Sequence, residues 1–307
     1  MRYFFSFLFN IVCAMFMFLS SIANADSTLP IDTRGYAHND LLVSVDWVKE
    51  NLNNDKVFLI DARGDDAYGK EHIPGAISAT WQAFSDLKAP KGKGFAMLLE
   101  QSALTKKFQE FGIDDKKTIV LYADPNGWGE DGRIVWMLRM AGLNNTKILD
   151  GGWPAWKKAK GSTTTTKTTP TPSDFTIKTI NTDMLATTDW IVANRKEIIV
   201  LDTRSQKEWD GATDYKEPRG GHIKDAIRIQ WSDFFNIDST IKTQTQINDI
   251  MNKAGVKKSD TIALYCTSGI RSAHMTLMLR MAGYAKAKNY AASINEWGAL
   301  SDLPMEK

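Results

Sequence analysis

The sequence predicts an α/β protein of two tandem domains, each a mostly parallel sheet with helices on both faces. Three observations lead there. Short apolar runs alternate with segments of helical period. Five sequence blocks recur in the same order in the two halves of the chain. Between the halves lies Ser162 to Ser173, rich in Thr, Lys and Pro and without apolar period, which reads as an exposed linker. The chain therefore divides into a leader (1–25), a first domain (26–161), the linker (162–173) and a second domain (174–307).

The leader carries one cation, Arg2, then apolar residues from about Phe4 to Phe18, then Ala23-Asn24-Ala25 before Asp26. That order is expected of a secretory signal peptide. A membrane anchor is the poorer reading, because Asn10 interrupts a run already short for a bilayer. Cys13 goes with the leader; apolar residues follow it and no small-residue cleavage box precedes it. A periplasmic or secreted protein is expected, with no stable membrane anchor after cleavage.

The repeated blocks establish an internal duplication. Val45-Asp46-Trp47-Val48 matches Thr188-Asp189-Trp190-Ile191, and Phe58 to Arg63 matches Ile199 to Arg204. His72-Ile73-Pro74-Gly75-Ala76-Ile77 matches His222 to Ile227, Thr118 to Tyr122 matches Thr261 to Tyr265, and Leu138 to Gly142 matches Leu279 to Gly283. Helices are expected over Leu104 to Phe111, Ile247 to Ala254 and Ala273 to Met281.

The halves differ after the strand Thr261 to Tyr265. There the second half has Cys266-Thr267-Ser268-Gly269-Ile270-Arg271-Ser272, whereas the first has Ala123 and a loop two residues longer. Cys266 is the one cysteine left in the mature chain, so it has no internal disulfide partner in an oxidising compartment. A thiol on a Gly-containing loop before a helix meets backbone N–H groups and the positive helix end, and both favour the thiolate. In parallel sheets ligands sit beyond the carboxyl ends of the strands, where this loop lies. Cys266 is the expected nucleophile, and the first domain is expected to shape one wall of its cleft. Trp128, in that first-domain loop, is expected to face the same cleft.

Composition removes other classes. The formal charge is +2, and about +1 without the leader, with no basic block to suit nucleic acid or lipid headgroups. The four histidines (His38, His72, His222, His274) and one mature cysteine show no metal-ligand spacing, and no phosphate-binding Gly-rich fingerprint occurs. No metal or cofactor is expected.

Together these blocks resemble the rhodanese superfamily, and within it the tandem sulfurtransferases with an inactive first and an active second domain. The residues that carry the resemblance are Asp61 with Arg63, Asp202 with Arg204, the His72 block and its His222 variant, the Cys266 loop, and Gly151-Gly152-Trp153-Pro154-Ala155-Trp156. Cys266 to Arg271 spaces as Cys-x4-Arg, like the rhodanese loop; the related phosphatases have one residue more. The resemblance implies attack of Cys266 on a small anionic sulfur donor, thiosulfate or 3-mercaptopyruvate, a Cys266 persulfide, and transfer to cyanide or a thiol. It places Thr267, Ser268, Gly269, Ile270 and Arg271 around the donor, with Arg271 holding it through forked hydrogen bonds. It adds Arg219 as a donor-carboxylate ligand and His72 as a partner in proton transfer. Asp202 and Arg204 read as a structural pair at a strand end. Glu208 departs from the family, standing where a donor-binding arginine often occurs. Arg271 stands where mercaptopyruvate enzymes carry threonine, which ranks thiosulfate first. A non-catalytic persulfide carrier is the alternative, and a monomer is expected.

Overall fold

The computed structural model describes residues 30–87 and 93–307; the leader 1–25, read as a signal peptide, lies outside the described residues. The first domain contains β1 (Leu42–Val43), α1 (Val45–Glu50), β2 (Val57–Asp61), α2 (Asp65–Lys70), β3 (Ile77–Ser78), α3 (Gln101–Glu110), β4 (Thr118–Tyr122), α4 (Glu130–Met140), β5 (Thr146–Leu149) and α5 (Gly152–Lys158). The second contains β6 (Leu185–Ala186), α6 (Thr188–Asn194), β7 (Ile199–Asp202), α7 (Gln206–Trp209), β8 (His222–Ile223), β9 (Ile227–Arg228), α8 (Gln244–Lys253), β10 (Ile262–Tyr265), α9 (Ile270–Met281), β11 (Ala287–Tyr290), α10 (Ser293–Trp297) and β12 (Met305–Glu306).

The first sheet runs β1-β5-β4-β2-β3 and the second β6-β11-β10-β7-β9, both parallel throughout and of one topology. The second domain adds an antiparallel pair, β8 with β12, in which Met305 faces Ile223. The central strand β10 is buried at every position, as an unbroken apolar run requires when helices cover both faces. Each of the three expected helices starts three residues before its expected first residue. At α8 a reciprocal cap, Thr243 with Gln246, fixes the start; at α9 Gly269 does so in the left-handed region at φ 75°.

Helices α4 and α9 occupy equivalent places in the two repeats and pack on each other. Both are buried over nearly their whole length, although neither is apolar all round. Each lies between its own sheet and the other domain, so Trp136, Leu138, Leu264, Leu277 and Met278 belong to one continuous core. The two helices approach closely at Gly132, where a Cβ would lie 2.4 Å from His274 Cδ2. A buried ion pair, Arg34 with Asp150 at 2.7 Å, extends the contact, since both residues also bond the main chain of Ile241.

The linker is largely solvent-facing, yet it is tied along the first domain. Thr164 forms an antiparallel bridge with His72, the Thr168 N–H donates to Tyr68 Oη at 2.9 Å, and the Ser173 hydroxyl donates to the Ile113 carbonyl at 2.7 Å. No helix of the described residues is long and apolar enough to cross a membrane.

Candidate active site

Cys266 follows the last residue of β10 and precedes α9 by three residues. Its loop is shaped from both sides. The Cys266 N–H donates to Ser293 Oγ at 3.1 Å, and the Cys266 and Thr267 carbonyls accept N–H groups from Ile294 and Asn295. Gly269 turns the chain back toward the sulfur. A side chain there would be strained at φ 75°, and its Cβ would lie 2.3 Å from the Ala291 carbonyl oxygen. The turn aims the Gly269 N–H at Cys266 Sγ, 3.1 Å away. The Ser272 hydroxyl lies 3.6 Å from the sulfur and 2.7 Å from Asn289 Oδ1, with one proton to give to either.

Cys266 is 1 % exposed. Burial pushes the thiol up, but the Arg271 guanidinium, the Ser272 N–H and hydroxyl and the Ser268 N–H outweigh it. The thiol lies below its ordinary value. A thiolate here is held by donors that are already in place, which suits a nucleophile.

Thr267, Ser268, Gly269, Ile270 and Arg271 surround Cys266 as the sequence arranges them, but their polar groups are engaged. Arg271 gives its fork to Glu208, at 2.8 and 2.7 Å, and a further N–H to Thr267 Oγ1. The Thr267 hydroxyl donates to Glu208, and Ser268 Oγ accepts from Asn295 Nδ2 at 2.7 Å. Burial works to raise the Glu208 carboxyl, yet Arg271 and the Ser205 cap bring it down to about 2. The donor fork expected of Arg271 is therefore filled by the chain's own carboxylate.

His72 and Arg219 both meet main-chain carbonyls. His72 stacks on Tyr68 inside the first domain, with Nδ1 2.7 Å from the Tyr68 carbonyl and Nε2 3.0 Å from the Thr166 carbonyl, one of which its N–H reaches in the neutral ring. Arg219 donates to the carbonyls of Trp297, Gly298, Leu300 and Leu303, closing the end of α10. Asp202 and Arg204 form a buried strand-end pair, 2.6 Å at its shortest, and Asp61 with Arg63 repeats it in the first domain. Trp128 does reach the site from the first domain. Its ring lies over the Arg271 guanidinium at 4.9 Å and edge-on to Tyr215.

Sequence reasoning passed over Ser293, Asn289 and Arg133. Ser293 stands at φ 54°, where the first repeat has Gly152 at φ 55°. That substitution, a serine where the matching position is glycine, was the available signal. Asn289 Nδ2 and Arg133 Nη1 both donate to the Gly269 carbonyl, at 3.2 and 3.1 Å.

A rhodanese-like domain model matches residues 44–159 and again 187–300. Among curated proteins, the chain is 32% identical over 286 residues to a Mycobacterium tuberculosis protein named "Putative thiosulfate sulfurtransferase", covering 88% of this chain and 99% of that protein. It is 30% identical over 287 residues to the "Sulfur carrier protein TtuD" of Thermus thermophilus, covering 89% and 99%. Among solved structures, an anaerobic ergothioneine biosynthesis enzyme from Chlorobium limicola superposes with a TM-score of 0.79 at 21% identity, over 88% of this chain and 71% of that one. That likeness shows the fold. Two matched domains, together with relatives aligned along nearly their whole length, place this chain in the rhodanese-like family as a tandem of two such domains.

Proposed function

We propose that the protein is a sulfurtransferase that takes the outer sulfur of thiosulfate onto Cys266 and passes it to a thiophilic acceptor, cyanide or a thiol. The observation that carries this reading is the lowered Cys266 thiol, seated in a loop whose Gly269 N–H already points at its sulfur. The relatives named for thiosulfate and for sulfur carriage support the same chemistry. In the first step the Cys266 thiolate attacks the outer sulfur of the donor. The S–S bond of thiosulfate breaks, and sulfite leaves with its electron pair. The sulfur stays as a persulfide anion, for which the loop N–H groups are acceptable partners. In the second step cyanide attacks the terminal sulfur and departs as thiocyanate, regenerating the thiolate. No redox co-reactant is consumed. The burial of Cys266 favours a small donor over a bulky one.

A second reading draws on the Glu208–Arg271 pair. With that fork filled, the loop offers no spare cation for a donor, and a carrier loaded by another protein needs none. Thiosulfate-dependent thiocyanate formation separates the two, with 3-mercaptopyruvate as the second donor. The wild type turns over thiosulfate, and Cys266→Ser does not. If neither donor is used, yet a persulfidated protein adds the mass of one sulfur atom to the chain, the carrier reading replaces the enzyme. Export is proposed from the leader alone; the N-terminal sequence of protein recovered from outside the cytoplasm should begin near Asp26.

A further inference from the structure

Arg133, on α4 of the domain that lacks the thiol, is fully buried. Its Nη1 donates to the Gly269 carbonyl of the active loop at 3.1 Å, and its Nη2 donates to the carbonyl of Ala96, itself in the left-handed region at φ 59°. Among the described residues its Nε–H has no hydrogen-bond partner. The ring of Trp136 lies under the guanidinium at 4.8 Å and that of Trp81 at 5.9 Å. Among the described residues no carboxylate forms an ion pair with Arg133. The carboxylates of Glu208 and Asp202 are matched elsewhere, by Arg271 and by Arg204. A buried guanidinium without an anion is costly, and its aromatic neighbours offset that cost only in part. Burial lowers Arg133 to about 9, and the one charge acting in the other direction is that of Cys266.

We infer that Arg133 is a positioning residue of the second domain's active loop: it holds the Gly269 turn and balances the negative charge of the Cys266 sulfur. The first domain thus supplies part of the electrostatics of the site and not only its wall. Arg271 divides its charge between Glu208 and Cys266, whereas Arg133 pairs with no carboxylate among the described residues, so its charge adds to what a thiolate and the persulfide that follows receive. The inference rests on reading Cys266 as the nucleophile.

The test is the pH dependence of Cys266 carbamidomethylation by iodoacetamide, with no sulfur donor present. Arg133→Met should move the alkylation midpoint up by about one pH unit, an approximately tenfold loss of thiolate below it, while Arg133→Lys returns most of the shift. A role confined to packing would lower the melting temperature of both variants and leave the midpoint where it is; that result overturns the inference. A second measurement does not depend on Arg133→Met folding. In wild-type protein with 15N-labelled arginine, the Arg133 Nε–H resonance, assigned by its loss in Arg133→Lys, should follow the Cys266 titration and be flat in Cys266→Ser. A flat response in the wild type also overturns it. Because neither readout uses thiosulfate, failure of sulfur transfer would sink the functional reading and leave this one standing.

Discussion

Glu208 accepts two hydrogen bonds from the Arg271 guanidinium, at 2.8 and 2.7 Å, so the arginine of the active loop is already paired with the chain's own carboxylate before any donor arrives. In Glu208→Gln the fork is released. The expected outcome is a KM for thiosulfate about three- to tenfold lower and a lower alkylation midpoint for Cys266, together with a stability loss of about 3 kcal/mol from the broken buried pair. Steady-state kinetics at low salt and urea unfolding measure both, and an unchanged KM would show that Arg271 does not meet the donor. The same carboxyl is held near 2 in the folded state, below its unfolded value. Its contribution is complete above about pH 4.3 and is lost as pH falls toward 2.

Ser293 keeps a left-handed backbone at φ 54° while its hydroxyl accepts the Cys266 N–H and donates to the Tyr290 carbonyl. Ser293→Gly relieves the strain and removes the bond. We expect a melting temperature equal to or above the wild type's, with sulfur transfer reduced about tenfold or more. A variant both less stable and fully active would show that the serine serves only the fold.

Gly132 is where α4 and α9 touch, and Arg133 is the next residue. A methyl group at 132 meets His274 at 2.4 to 2.7 Å, including a main-chain atom. Gly132→Ala should lower stability by about 1–3 kcal/mol and slow Cys266 alkylation as the helices separate. Gly255→Ala is the control. That glycine has a positive φ, 75°, unlike the helical Gly132, and a Cβ there meets nothing within 4 Å, so stability falls by about 1 kcal/mol and alkylation is unaltered.

Asp131 and His274 face each other across the same contact at 3.8 Å. Burial raises Asp131 to about 7 and lowers His274 to about 4. Unfolded, the carboxyl titrates near 3.9 and the imidazole near 6.5. From about pH 4 to 6.5 the folded pair holds one proton, on Asp131, and the unfolded pair holds one, on the histidine. Equal counts mean that the pair gives stability no slope there. In His274→Leu the folded state holds one proton more than the unfolded, so stability should rise as pH falls, by up to about 1.4 kcal/mol per unit relative to wild type. Urea midpoints at several pH values read this directly; parallel profiles would exclude it.

The duplicated sheets, the Cys266 loop and its place at the end of β10 are legible in the sequence because each rests on local pattern. Strand apolarity, the left-handed glycine and the strand-to-helix order all lie within a few residues. What stays hidden depends on contacts between distant segments. Glu208 is visible as a departure, but its pairing with Arg271 needs α7 beside the loop. Arg133 lies 136 positions from the carbonyl it holds, and nothing in Asp131-Gly132-Arg133-Ile134 says which domain it serves. His72 belongs to a suggestive block, yet both ring nitrogens face main-chain carbonyls, one on the linker that lies along it.

The shared core of α4 and α9 gives the duplication a further meaning. The two repeats are in effect a dimer whose halves cannot dissociate and whose symmetry has been broken, with the sulfur on one side and a guanidinium for it on the other. Dilution, which would separate such groups in two free subunits, cannot separate them here.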